Sequence, residues 1–201
     1  MRKLQIGVMG SAADLNYSKE LDKIAEETGK LIAKSGNITI YGAEKDFDSL
    51  STVAARGAKK AGGLTIGVTY GKGKDIFDKE NTDVIIASWL ERGGGREFVL
   101  VNSCDALICI SGGSGTLTEI AIAYQLNIPV IAIKKTGGWS EKLSNTYLDE
   151  RKRLKIIGAK NPEEAVEIAV KLCENKLWYK YTFPFLLKSN KDSISARALK
   201  L

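Results

Sequence analysis

Arg96, Glu119 and the run Ser111-Gly112-Gly113-Ser114-Gly115-Thr116 between them are the residues of this chain best placed to do chemistry. The run follows an apolar stretch, Ala106-Leu107-Ile108-Cys109-Ile110, and leads into a helical one, Ile120-Ala121-Ile122-Ala123-Tyr124. A strand that ends in glycines and turns into a helix builds an anion site. The glycines let the backbone approach the ligand, and the unpaired N–H groups of the first helical turn point at it. On this reading Gly112, Gly113, Ser114, Gly115 and Thr116 hold a phosphate, with the Thr116 hydroxyl as an added donor. Glu119 then lies one helical turn away, facing the ribose of a nucleotide. Gly10 and Ser11 end the first apolar run and add backbone N–H groups or a hydroxyl. Their spacing, Gly7-x-x-Gly10, is not the Gly-x-Gly-x-x-Gly of a dinucleotide fingerprint. Arg96 follows Gly93-Gly94-Gly95 at the start of a helix, and topology brings that start to the sheet edge where the next strand ends.

Composition removes several alternatives. The chain has no histidine, so Ser-His-Asp and Cys-His nucleophile systems are excluded, as are zinc sites that need histidine. Acid–base chemistry falls to carboxylates, lysine, tyrosine, water or the substrate itself. Cys104, Cys109 and Cys173 have no Cys-x-x-Cys spacing, and their odd number argues against an extracellular disulfide framework. They read as core thiols. At 201 residues, 44% hydrophobic and 27% charged, the chain has the composition of a soluble globular protein. No apolar run approaches a membrane span, and the start reads as a strand, not a signal peptide, so the expected location is cytoplasmic.

The elements that must position these residues alternate between apolar runs and amphipathic stretches. Strands are expected at 4–9, 38–41, 64–68, 84–87, 106–110 and 129–133, and helices at 18–33, 49–61, 95–103, 116–126 and 162–175. The runs 107–110 and 130–133 are apolar throughout, the mark of strands buried on both faces. The fold class is therefore α/β: a Rossmann-like, doubly wound parallel sheet with helices on both faces. Its ligand belongs at the carboxyl ends of the strands. Residues 1–176 read as a single nucleotide-binding domain, with 137–160 as a long loop or lid. Residues 177–201 read as a basic, aromatic-containing tail. The net charge is +6, and from Lys176 onward six basic residues face one acid, so a nucleic-acid partner enters as an alternative.

Arg96, then Cys104-Asp105, then Gly112-Gly113-Ser114-Gly115-Thr116-Leu117-Thr118-Glu119 resembles the Lonely-guy family, long labelled possible lysine decarboxylases. Gly57-Ala58, Ala61-Gly62-Gly63 and Ile66-Gly67-Val68 are similar to a second segment of that family. The resemblance runs from about residue 4 to about residue 134. It implies a Rossmann-like homodimer that binds nucleoside 5′-monophosphates and cleaves their N-glycosidic bond, with Arg96 and Glu119 as the catalytic pair. No cofactor or metal is required on that reading; the bound molecule is a nucleotide monophosphate. A related branch of molybdenum-cofactor carriers implies binding without turnover, and the DNA-processing family has a similar core. The chain departs from the Lonely-guy pattern in three places, the first being Ser111 where the family has a proline before Gly112. The glycine motif after strand two is Gly42-Ala43-Glu44-Lys45-Asp46, and the lysine after the catalytic arginine is Glu97, an acid able to pair with Arg96 and weaken its grip on a ligand.

Overall fold

The computed structural model describes residues 2–12 and 15–174. Its seven strands are β1 (Gln5–Gly10), β2 (Ile38–Ala43), β3 (Thr65–Thr69), β4 (Val84–Ala87), β5 (Ala106–Ile110), β6 (Val130–Ile133) and β7 (Ile157–Ala159). All pair in parallel, in the order β4-β3-β2-β1-β5-β6-β7. The chain runs outward from β1 through β4 and then returns to β5 on the other side of β1. That reversal opens a crevice above the β1–β5 pair. Register makes it a shared edge: Gly10 lies opposite Ile110, so the loops after β1 and β5 leave the sheet together.

Among the described residues six helices cover the two faces. They are α1 (Lys19–Lys34), α2 (Leu50–Lys60), α3 (Arg96–Asn102), α4 (Ser114–Leu126), α5 (Gly138–Leu143) and α6 (Pro162–Glu174). Strand alternation sorts the core. Ile6, Val8, Ile108 and Ile110 pack with α1, α2 and α6, whereas Met9, Leu107 and Cys109 pack with α3 and α4. Cys104 and Cys109 are buried and Cys173 is partly buried against the core, as expected of core thiols. Helix α2 starts at Ser49, whose hydroxyl accepts from the Thr52 N–H at 3.1 Å. It stops where the glycines stand: Gly62 is left-handed at φ +75°, and the Gly63 N–H closes back on the Ala58 carbonyl at 2.9 Å.

The segment 137–160 is not a long loop. It holds α5 and the edge strand β7, which pairs with β6 through Ile157, Gly158 and Ala159. A six-residue helix and a three-residue strand are too short to carry a readable period. Helix α4 also starts two residues before the expected Thr116, because the turn ends at Gly113 and Ser114-Gly115 already form the first helical turn. Residues 177–201, the basic tail, lie outside the described residues. Among the described residues no helix is long and apolar enough to cross a membrane.

Helices α1 and α2 touch backbone to backbone. A Cβ added at Gly57 would sit 1.9 Å from the Glu26 carbonyl oxygen, and one at Gly29 would sit 1.7 Å from that of Ala54. Alanine is the better helix former by about 1 kcal/mol, yet overpacking of this kind costs about 1–3 kcal/mol. Gly57→Ala should therefore lower unfolding stability by about 1 kcal/mol net, measured in urea. A variant as stable as the parent would disprove the close approach.

Candidate functional site

The turn between β5 and α4 puts Ser111 and Gly112 in left-handed backbone, at φ +57° and +100°. Several hydrogen bonds hold it. The Gly112 N–H donates to Ser11 Oγ at 2.9 Å and the Ser111 N–H to Thr136 Oγ1 at 2.9 Å. The Trp139 and Ser140 N–H groups at the start of α5 donate to the Gly112 and Ser111 carbonyls, at 3.0 and 2.9 Å. Beyond this anchor Gly113 caps α4 without a side-chain hydrogen bond. The N–H groups of Ser114, Gly115 and Thr116 have no acceptor within the helix and carry its positive end.

Those groups face a cavity of about 430 Å³, lined also by Gly10, Gly42, Glu44, Arg92, Arg96, Glu97 and Glu119. Gly10, Gly113, Ser114, Gly115, Thr116, Arg96 and Glu119 thus come together from β1, α3 and α4 at one edge of the sheet. Ser11 and Gly112 do not line this cavity; they bond each other and fix the turn. The Thr116 hydroxyl is turned toward the Gly10 carbonyl at 3.4 Å, tying α4 to the loop after β1.

Arg96 is 4% exposed, which makes its partners decisive. Its Nη2 donates to Glu44 Oε1 at 3.2 Å, and its Nε lies 3.4 Å from Glu97 Oε1 as an ion pair. The acid beside Arg96 therefore does pair with it. Glu97 in addition accepts from the Gly93 N–H at 3.1 Å and so steadies the glycine run before α3. Among the described residues neither Arg96 Nε nor Nη1 has a hydrogen-bond acceptor, and Glu44 Oε2 has no donor. Buried donors left without acceptors are costly, so Nε and Nη1 have hydrogen bonds left to give to an acceptor group on a ligand, while the charge of the guanidinium is already met by the two carboxylates. Gly42 is the reason it fits: a Cβ there would stand 2.0 Å from Nη1.

Sequence reasoning did not assign Gly42, Glu44, Arg92 or Glu97 to the site. The signals were available in part. Gly42-Ala43-Glu44 ends β2 beside β1, and Arg92 with Arg96 brackets three glycines. Only the strand order tells which of these loops share an edge.

The sequence model of one family, described as SLOG cluster4, matches residues 3–166. The chain belongs to the SLOG cluster4 family. The match extends beyond the span of the sequence resemblance, into β7 and α6. An Archaeoglobus fulgidus protein is 36% identical over 134 residues, covering 67% of this chain and 82% of its own. The molybdenum cofactor carrier protein of Chlamydomonas reinhardtii is 32% identical with a TM-score of 0.71, over 85% of this chain and 98% of that one. The molybdenum cofactor binding protein of the phototrophic bacterium Rippkaea orientalis is 30% identical, also with a TM-score of 0.71, over 86% of this chain and 98% of its own. These likenesses place this SLOG chain in the Rossmann-like group to which Arg96 and the glycine motif pointed.

Glu119 is buried and its carboxylate makes no hydrogen bond among the described residues. Burial raises its pKa from 4.5 to about 7; Arg96 opposes the rise, while Glu97 and Glu44 add to it. Below pH 4.5 the carboxyl is neutral in both folded and unfolded chains. Between 4.5 and about 7 the unfolded chain loses the proton first, so stability falls as pH rises. Above about 7 the penalty is complete, at about 3 kcal/mol. Glu119→Gln removes it. Its stability advantage over the parent should grow from pH 4.5 to 7.5 and then level off in denaturation series at several pH values. An advantage independent of pH would contradict the burial of an ionisable Glu119.

Proposed function

We propose that this protein binds a nucleoside 5′-monophosphate or a phosphorylated pterin-type cofactor and holds it without turnover, as a carrier. The phosphate sits on the N–H groups of Gly113, Ser114, Gly115 and Thr116, where the helix end supplies positive potential. The cavity beyond carries Glu44, Glu97 and Glu119 against Arg92 and Arg96. Carboxylates at that end suit ribose hydroxyls and the N–H edge of a heterocycle, which donate hydrogen bonds. The binding chemistry uses amides, arginines and carboxylates, and the proposal includes no metal. The likeness to two proteins whose names describe molybdenum cofactor binding or carriage supports this ligand class.

The observation that carries the carrier reading is the pairing of Arg96 with Glu44 and Glu97. Glycosidic cleavage would ask Arg96 to polarise the leaving base and Glu119 to stabilise the positive charge left on the ribose. Here Arg96 is already neutralised by two acids, and Glu119, with its pKa raised by burial to about 7, is only part-ionised at neutral pH. Hydrolysis remains the second reading because Arg96 and Glu119 share one cavity. A homodimer belongs to the proposal as well, supported by the exposed Phe98 on α3 and Leu126 on α4. The DNA-processing alternative drew on the basic tail, which lies outside the described residues.

The test is incubation with a panel of nucleoside 5′-monophosphates, followed by chromatography for free base and calorimetry for binding. The carrier reading expects micromolar-range binding, about −8 kcal/mol, with the nucleotide recovered intact. Release of base by the parent, abolished in Glu119→Gln, would replace it with the hydrolase reading.

A further inference from the structure

The cavity beside the glycine turn holds a charge that the described residues do not balance. Its lining sets Glu44, Glu97 and Glu119 against Arg92 and Arg96, so three carboxylates meet two guanidinium groups. Arg96 lies between two of them, with Nη2 3.2 Å from Glu44 Oε1 and Nε 3.4 Å from Glu97 Oε1. Arg92 also turns to Glu44, at 3.8 Å from Oε2. Glu119 is the carboxylate left over. It is 7% exposed and opens onto the cavity, with neither a hydrogen bond nor an ion pair among the described residues. An unpartnered acid, more than nine-tenths buried and aimed into a cavity, is placed to meet a ligand.

An arriving anion sharpens the imbalance. A phosphate on the N–H groups of Ser114, Gly115 and Thr116 lies about one helical turn from Glu119 on the same helix. A second negative charge so near, away from water, raises the proton affinity of a carboxylate. The surroundings single out which carboxylate responds. Protonating Glu44 or Glu97 would strip the buried Arg96 of a counter-charge, whereas protonating Glu119 breaks no ion pair. Behind it the thiols of Cys104 on α3's end and Cys109 on β5 stay protonated, held up by burial and by Glu119 itself. Strand β1 offers no ionisable side chain between Gln5 and Gly10. Glu119 also starts close to neutrality: burial raises its pKa to about 7, Glu97 and Glu44 add to the rise, and Arg96 and Arg92 oppose it.

We propose that binding of the phosphorylated ligand is coupled to the uptake of one proton, and that Glu119 receives it and meets the ligand as a neutral carboxylic acid. The inference rests on the phosphate-binding role assigned above to the opening of α4. The proton comes from water or buffer, an O–H bond forms on Glu119, and no other covalent bond changes. The neutral acid donates through its hydroxyl and accepts through its carbonyl oxygen, which matches a ribose hydroxyl that also does both. Because the bound state holds the extra proton, affinity rises as pH falls through neutrality and is lost as pH climbs above it.

The test is calorimetry of the full chain with AMP and with GMP near pH 8, in Tris and in HEPES, two buffers of very different ionisation enthalpy. At that pH the phosphate, with a second pKa of about 6, is a dianion and takes up no proton of its own. The difference in heat between the buffers counts the protons bound. The parent should take up close to one proton per nucleotide, and its affinity should fall about fivefold to tenfold from about pH 7.5 to about 8.5. Glu119→Gln keeps a donor and an acceptor in nearly the same shape and cannot ionise. It should bind with no proton uptake and with an affinity flat over that range. Binding by the parent without proton uptake, or uptake that persists in Glu119→Gln, would overturn the coupling and leave the phosphate site standing. Failure of both nucleotides to bind the parent at any pH would overturn the phosphate site and the coupling with it.

Discussion

Everything at the ligand edge depends on two consecutive left-handed residues, Ser111 and Gly112. An L-residue such as Ser111 reaches that conformation at a cost, so the surrounding structure must hold it. It is held from three loops: by Ser11 after β1, by Thr136 after β6, and by the first N–H groups of α5. This clamp fixes the direction in which α4 leaves the sheet. The free N–H groups of its first turn, and Glu119 one turn on, take their positions from it.

The clamp also explains α5. Gly138 sits so close to the turn that a Cβ on it would stand 2.5 Å from the Gly112 carbonyl oxygen. Ser140 donates to the Cys109 carbonyl at 2.7 Å. A segment that reads as a glycine-punctuated loop is in fact a brace under the glycine turn between β5 and α4. Its glycines serve close approach, and a lid would need them for motion instead. The opposite wall works through charge. Arg96 is buried beside Glu44 and Glu97, and the absence of a side chain at Gly42 leaves it room.

The sequence was most readable where one local pattern sufficed. The fully apolar β5 and β6 announced a sheet covered on both faces, and Gly62-Gly63 marked the end of α2 to within one residue. The glycine turn with Glu119 was visible because strand, turn and helix adjoin along the chain. In the sequence Glu44 stands out only as a departure from a family pattern. Its place against Arg96, 52 residues away, depends on β2 lying beside β1, which no local period encodes. Ser11 shows the converse. It was recognised by position after β1, but whether its hydroxyl faces a ligand or a backbone N–H is decided only by packing.

The central claim is that a ligand phosphate sits on the amides that open α4. Amide NMR during titration with a nucleoside 5′-monophosphate tests it most directly. The account predicts saturable shifts concentrated at Gly113, Ser114, Gly115 and Thr116, with a matching shift at Arg96 Nε. Saturable binding that leaves those amides unmoved would contradict it.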